Sequence, residues 1–233
     1  MDPRTLNILE AIIQEFIETG VPVSSEQIYR KHRFDVKPAT IRNEMHALSE
    51  GDFLEQPYTS GGRVPTDKAY RFFVDRVFEG LSEKKNKRVD SVGPLRERLE
   101  SGAMRGAVSE VAESLGAVSV GYAEPGTVVK SGLDELIDEL INFREVSRVE
   151  EIASIVHDIE MIDERMESIA HMLGGGHPHV FIGKSPITRS PHLSVIADTF
   201  EVRGRPFVLA VVGSKRMDYE TNIRFFMNLK NYF

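Results

Sequence analysis

The chain has 233 residues, with 29 Lys and Arg against 36 Asp and Glu, a formal net charge of −7, a hydrophobic fraction of 41 % and no cysteine. Its length predicts one or two domains with ordinary cores, and the missing cysteine excludes disulfides, thiolate metal sites and a cysteine nucleophile. No apolar run approaches the ~18 residues of a membrane span and no signal-peptide pattern opens the chain, so the expectation is a cytoplasmic protein with no membrane partner.

From the N-terminus, Leu6, Leu9, Ile13 and Phe16 recur at helical steps and predict an amphipathic helix over 5–19, ended by Gly20. Ser24, with Gln27 three residues on, is a capping-box pattern for a short second helix. A third helix is predicted from Pro38, with Ile41, Met45 and Leu48 facing inward and Gly51 as its stop. Residues 53–56 pair with 63–64 across a turn containing Ser60, Gly61 and Gly62, and Pro65 closes the hairpin. Thr66 is the N-cap of a fourth helix to about Phe78, with Tyr70, Phe73, Val74 and Val77 as its apolar stripe.

Residues 80–94 lose apolar periodicity and read as a charged linker between a first domain, 1–79, and a second, 95–233. The second domain reads as α+β. A helix over 95–115 is interrupted at Gly102 and Gly106, and a strand over 117–122 is followed by a turn at 124–126. The stretch 133–173 is mostly helical with a break near 143–147, then strands at 180–182, 194–197 and 207–212 precede a last helix over 219–232. Within the long helical stretch Ile152, Ile155, Ile159, Ile162, Met166, Ile169 and Leu173 alternate steps of 3 and 4. That regularity suits either a helix-pairing seam for dimerisation or a helix laid on the domain's own sheet.

Three helices followed by a glycine-containing hairpin are the winged helix-turn-helix plan, in which the third helix enters the major groove. With Ile41, Met45 and Leu48 turned inward, Thr40, Arg42, Asn43 and His46 project elsewhere, and Lys37 stands at the helix N-terminus, where phosphate is favoured. Arg reads guanine bidentately and Asn reads adenine, and Thr serves phosphate or a thymine methyl. Arg63, directly after Gly61-Gly62, is placed to enter a narrow minor groove, with Lys68 and Arg71 following on the next helix. A solvated polar face and a solvated hairpin Arg fit the same residues. His171, His177, His179 and His192 lack the spacing of a zinc motif, Gly174-Gly175-Gly176 lacks the Lys-Ser/Thr of a phosphate loop, and no Gly-x-Ser-x-Gly occurs. No catalytic residue, metal or cofactor is expected.

At these residues the chain resembles the heat-inducible transcription repressors called HrcA. The resemblance is carried by residues 17–25, by Ala39-Thr40-Ile41-Arg42-Asn43-Glu44-Met45 and by residues 54–71, with weaker matches at 132–136 and 213–219. It implies a homodimeric repressor that binds an inverted repeat, CIRCE, upstream of chaperone operons, depends on the GroE chaperonin and releases on heating. It further implies that 39–45 is the recognition helix, that Gly61-Gly62-Arg63 is the wing tip and that the C-terminal part is GAF-like. The expected DNA-contacting set is Ser24, Ser25, Lys37, Thr40, Arg42, Asn43, His46, Gly61, Gly62, Arg63, Lys68 and Arg71.

The chain departs from the family where the strand ending at Tyr122 meets Glu124-Pro125-Gly126 and Gly132-Leu133 almost at once. The family's inserted dimerising segment and part of the GAF-like sheet are expected to be missing, leaving the 152–173 heptads as the candidate dimerisation element. Two rival functions keep the fold: a regulator whose GAF-like domain senses a small molecule, and a winged helix that binds protein rather than an operator. Residues 1–90 hold 14 Lys and Arg against 15 Asp and Glu, the remainder 15 against 21, so the acidity belongs mainly to the second domain. The first domain and the charged linker, nearly neutral together, predict weak non-specific DNA affinity, with base readout supplying more of the discrimination.

Overall fold

Asp2 starts the first helix. Its carboxylate accepts from the backbone N–H groups of Arg4 at 2.9 Å and Thr5 at 3.0 Å, and the adjacent Pro3 has no N–H to satisfy. The structure, a computed structural model, describes residues 1–32, 34–57, 61–83, 92–123, 126–142, 149–174 and 176–233. It divides into two compact units, Met1–Val77 and Phe78–Phe233.

In the first unit, α1 (Pro3–Thr19) ends on Gly20, whose left-handed φ of 65° lets its N–H reach Phe16 O at 2.8 Å. Its fully buried residues are Ile8, Leu9, Ile12 and Ile13. The buried stripe is thus rotated from the predicted 6/9/13/16 set, because α1 packs on several elements at once. Helix α2 (Ser25–His32) is capped by Ser24 Oγ, which accepts from Gln27 N–H at 3.2 Å. The Gln27 side chain donates to Glu15 Oε1 at 2.8 Å, so only half of the predicted capping box forms and the other half ties α2 to α1.

Helix α3 (Pro38–Glu50) buries Ile41, Met45 and Leu48 as expected. Strands β1 (Leu54–Glu55) and β2 (Val64–Pro65) pair antiparallel, and Val23 and Arg63 form a further antiparallel bridge. Helix α4 (Asp67–Glu83) is capped by Thr66 Oγ1, which accepts from Ala69 N–H at 3.3 Å and donates to Asp52 O at 2.7 Å. It runs beyond the predicted end at Phe78. Most of the proposed linker, 84–91, lies outside the described residues, as does Ser60 of the predicted turn.

The second unit opens with α5 (Val92–Ser101) and α6 (Met104–Leu115), separated at Gly102, whose φ is +87°. Strand β3 (Val118–Ala123) pairs antiparallel with β4 (Thr127–Ser131), a strand not expected from the sequence, and Glu124 and Pro125 of the predicted turn lie outside the described residues. Then follow α7 (Leu133–Asn142), α8 (Val149–Glu160), α9 (Asp163–Ala170), β5 (His179–Ile182), β6 (Leu193–Val202), β7 (Arg205–Ser214) and α10 (Tyr219–Lys230). The sheet is antiparallel with order β4-β3-β7-β6-β5.

Strand alternation assigns its two faces. Val118, Val120 and Tyr122, with Val208, Ala210 and Val212, and Leu193, Val195 and Ala197, share a core with α7, α8 and α9. On the other face the space above Gly121 is taken by Val108 and Met104, and the hydroxyls of Ser194 and Tyr219 meet at 2.8 Å, placing α6 and α10 there.

The heptad residues belong to that core. Ile155, Ile159, Ile162, Met166, Ile169 and Leu173 are buried against the unit's own sheet, and Ile152 packs on the same cluster. Of the two readings of this repeat, the sheet-packed helix is the one observed. Six of the seven side chains named for a dimerisation seam are thus turned into the unit's own core. The stretch is also divided, α8 from α9, at Met161 and Ile162. Asp158 fastens the division: its carboxylate, buried, accepts from Arg165 Nη1 at 2.6 Å and from the N–H groups of Arg189 at 2.7 Å and Ser190 at 3.1 Å. Among the described residues no helix is long and apolar enough to cross a membrane.

Candidate nucleic-acid interface

The site is built on α3, which is held along both flanks. On one flank Glu44 Oε1 accepts from Arg4 Nη2 at 2.7 Å and Glu44 Oε2 lies 2.7 Å from the Thr5 hydroxyl, tying α3 to the first turn of α1. On the other, Arg63 Nη1 donates to Met45 O and, at 2.8 Å, to Ser49 Oγ. The apolar stripe Ile41, Met45 and Leu48 fills the space between the flanks. What remains outward is Arg42, Asn43 and His46, all exposed, with Thr40 half-buried beside them.

Arg42 and Asn43 make no side-chain hydrogen bond or ion pair among the described residues, which leaves both forks available to a partner. His46 Nδ1 lies 3.6 Å from Glu50 Oε1. At the amino end of α3 the exposed Lys37 occupies the cap position without a side-chain cap bond; Pro38 has no N–H and those of Thr40 and Ile41 donate to Lys37 O at 2.9 and 3.2 Å, which leaves the Ala39 N–H at the helix start.

A groove of about 270 Å³ runs between the start of α2, α3 and the wing. Ser24, Ser25, Arg42, Gln56, Gly61, Gly62 and Arg63 line it, so the fold gathers residues that the sequence separates by about forty positions. Ser24 is exposed and Ser25 is buried. Gln56, not among the expected contact residues, reaches Gly61 O at 3.4 Å. It lies within the 54–71 motif, and the hairpin pairing brings it to the groove.

Three expected contact residues are otherwise engaged. Lys68 Nζ donates to Gly51 O at 2.8 Å, at the carboxyl end of α3, and lies 4.5 Å from the Phe53 ring centroid. Arg71 faces Asp67 at 4.0 Å. Arg63 turns back onto α3, half-buried, and burial lowers its pKa below the ordinary arginine value. The backbone approach that Gly62 permits is to the protein itself: a Cβ there would lie 2.5 Å from Pro22 O and from Val23 O. These last contacts join residues far apart in sequence, and no local pattern announces them.

Two family models match the chain. "Winged helix-turn-helix transcription repressor, HrcA DNA-binding" takes in residues 2–77, and "HrcA protein C terminal domain" takes in residues 70–223. Among curated relatives, the heat-inducible transcription repressor HrcA of Chloroflexus aggregans is 54 % identical over 79 residues, 34 % of this chain and 21 % of the relative. Those of Thermodesulfovibrio yellowstonii and Clostridium perfringens are 53 % identical over 79 residues and 52 % over 86. These matches cover 23 % and 25 % of the relatives and 34 % and 36 % of this chain. The chain thus aligns with only about a quarter of the length of these relatives. A crystal structure of a hypothetical protein shares the fold at a TM-score of 0.77 and 16 % identity, covering 100 % of this chain and 97 % of that one. With the C-terminal model matching well over half of its residues and the winged-helix model its first third, the chain belongs to the HrcA family.

Proposed function

We propose that this protein is a cytoplasmic, sequence-specific repressor of heat-shock operons that binds a CIRCE-type inverted repeat as a homodimer and releases it on heating. The observation that carries this reading is the pair Arg42 and Asn43, exposed and unengaged among the described residues on a helix fixed along both flanks. A rigid element presenting two bidentate base readers is what direct readout in the major groove requires. Lys37 and the Ala39 N–H at the start of α3 hold a phosphate, and the exposed Ser24 holds another at the start of α2. Two copies related by a two-fold axis read the two halves of an inverted repeat.

The second unit, with its five-stranded antiparallel sheet between helical layers, supports a GAF-like assignment for the regulatory and dimerising part. Its dimer surface lies outside the buried 152–173 set. Heat relief follows from loss of the DNA-competent fold, and a GroE-type chaperonin is the partner that restores it. The family resemblance supports both of these steps.

The test is binding of purified protein to an inverted-repeat operator and to a scrambled duplex at two temperatures. Preference for the operator at the lower temperature, lost at the higher and regained with chaperonin, is the expected result. Equal affinity for both duplexes at low temperature overturns the proposal.

A further inference from the structure

We propose that Arg63 is a positioning residue that sets the seating of the recognition helix, and that it does not itself read or neutralise DNA. The inference rests on the function proposed above and reassigns a residue within it. Three observations meet at this residue. The Arg63 backbone exchanges two hydrogen bonds with Val23, at 2.9 and 2.8 Å, just before α2 begins. Its guanidinium crosses to α3, where one nitrogen donates both to Met45 O and to Ser49 Oγ. Its neighbour Gly62 lies so close to the Pro22-Val23 backbone that any side chain there collides with main-chain oxygens.

Arg63 therefore joins the wing, the entry to α2 and the second half of α3. Glu44 holds the opposite flank of α3 through Arg4 and Thr5. Between these two clamps α3 has little freedom to roll, and the direction in which Arg42 and Asn43 point is set by both. With both Nη1 hydrogens committed to a main-chain carbonyl and a hydroxyl, and the side chain half-buried, the guanidinium is poorly placed to enter a minor groove. Releasing it for phosphate would leave Met45 O without that donor and free α3 on one side.

Salt dependence separates positioning from direct contact. Each phosphate neutralised by a side chain adds about 0.9 to the slope of log affinity against log salt. The variants are Arg63→Met, which keeps much of the stem, and Ser49→Ala, which removes one acceptor of the brace while leaving Arg63 in place. Arg42→Ala is the control for the recognition-helix reading.

For Arg63→Met the expected result is a loss of at least tenfold in operator affinity, with scrambled-duplex affinity and salt slope unchanged. A matching loss on both duplexes, with the slope reduced by about one, makes Arg63 a phosphate contact and overturns the inference. Should Arg63→Met lose the amide-exchange protection of α1, Ser49→Ala decides. Reduced discrimination by that variant supports the brace, and unaltered operator affinity overturns it. A wild-type protein that does not distinguish the duplexes, or Arg42→Ala without effect, instead defeats the underlying reading of α3.

Discussion

The Thr5 hydroxyl lies 2.7 Å from Glu44 Oε2, joining the first turn of α1 to the flank of α3. Thr5 is buried, and the same carboxylate takes the Arg4 guanidinium on its other oxygen. Removing the acceptor leaves a buried hydroxyl without this partner and frees one side of α3. Glu44→Ala is expected to cost about 1–3 kcal/mol of first-unit stability. Amide exchange in α1 reads this directly, and protection equal to that of the wild type would show the contact to be energetically silent.

Arg42 and Asn43 carry the proposed readout. Alanine at either position is expected to lower operator binding by ~1–3 kcal/mol and to relax selectivity at one base position each. Lys68, seated on Gly51 O and over Phe53, serves the end of α3. Lys68→Ala is expected to leave the ratio of operator to scrambled affinity unchanged. A gel-shift series with operator variants distinguishes these outcomes, and a ratio indifferent to both Arg42 and Asn43 removes the assignment.

Six of the seven stripe residues between 152 and 173 are core residues of the second unit. Ile159→Ala and Met166→Ala are each expected to cost about 2–5 kcal/mol, the range for emptying a buried aliphatic site. The double change Ile159→Lys with Met166→Lys is expected to abolish exchange protection in β3, β6 and β7, because both charges would be buried beneath the sheet. Sedimentation run alongside checks the alternative: a folded monomer would restore the seam reading.

Glu15 gives the first unit an acid limit. Burial acts to raise its pKa, but the hydrogen bonds from Lys31 and Gln27 outweigh burial and hold it below the ordinary 4.5. Its folded value is the lower one, so its contribution is fully present above the unfolded value and is lost as pH falls through the folded one. Lys31 is shifted upward, chiefly by its hydrogen bond to Glu15, so its share persists to alkaline pH and is lost only as pH rises through that raised value. Stability of the α1–α2 contact is therefore expected to be level near neutrality and to fall on acidification below about 4.5. Glu15→Gln should flatten that acid limb in a pH series of α1 and α2 amide exchange, and an unchanged limb would assign the loss to other carboxylates.

Residues acting on near neighbours were legible in order. Gly20, Thr66 and Pro38 set helix ends through their own backbone or side-chain chemistry, and Ile41, Met45 and Leu48 define an inward face by spacing alone, which leaves Arg42 and Asn43 outward. Strand β4 escaped because Thr127–Ser131 is short and takes its identity from pairing with β3.

The heptad stripe was visible, but its partner was not: spacing states which side chains share a face and is silent on what covers it. Arg63 and Gly62 show the same division. Their types suggested a wing tip open to DNA, and the fold instead places Val23 against one and Met45 and Ser49 against the other. The sequence by itself determined the helix ends that local caps set, the inward stripe of α3 and the family. The tertiary structure decided which polar groups remain free, because a hydrogen bond between residues about forty positions apart depends on the closed chain and leaves no local periodicity to read.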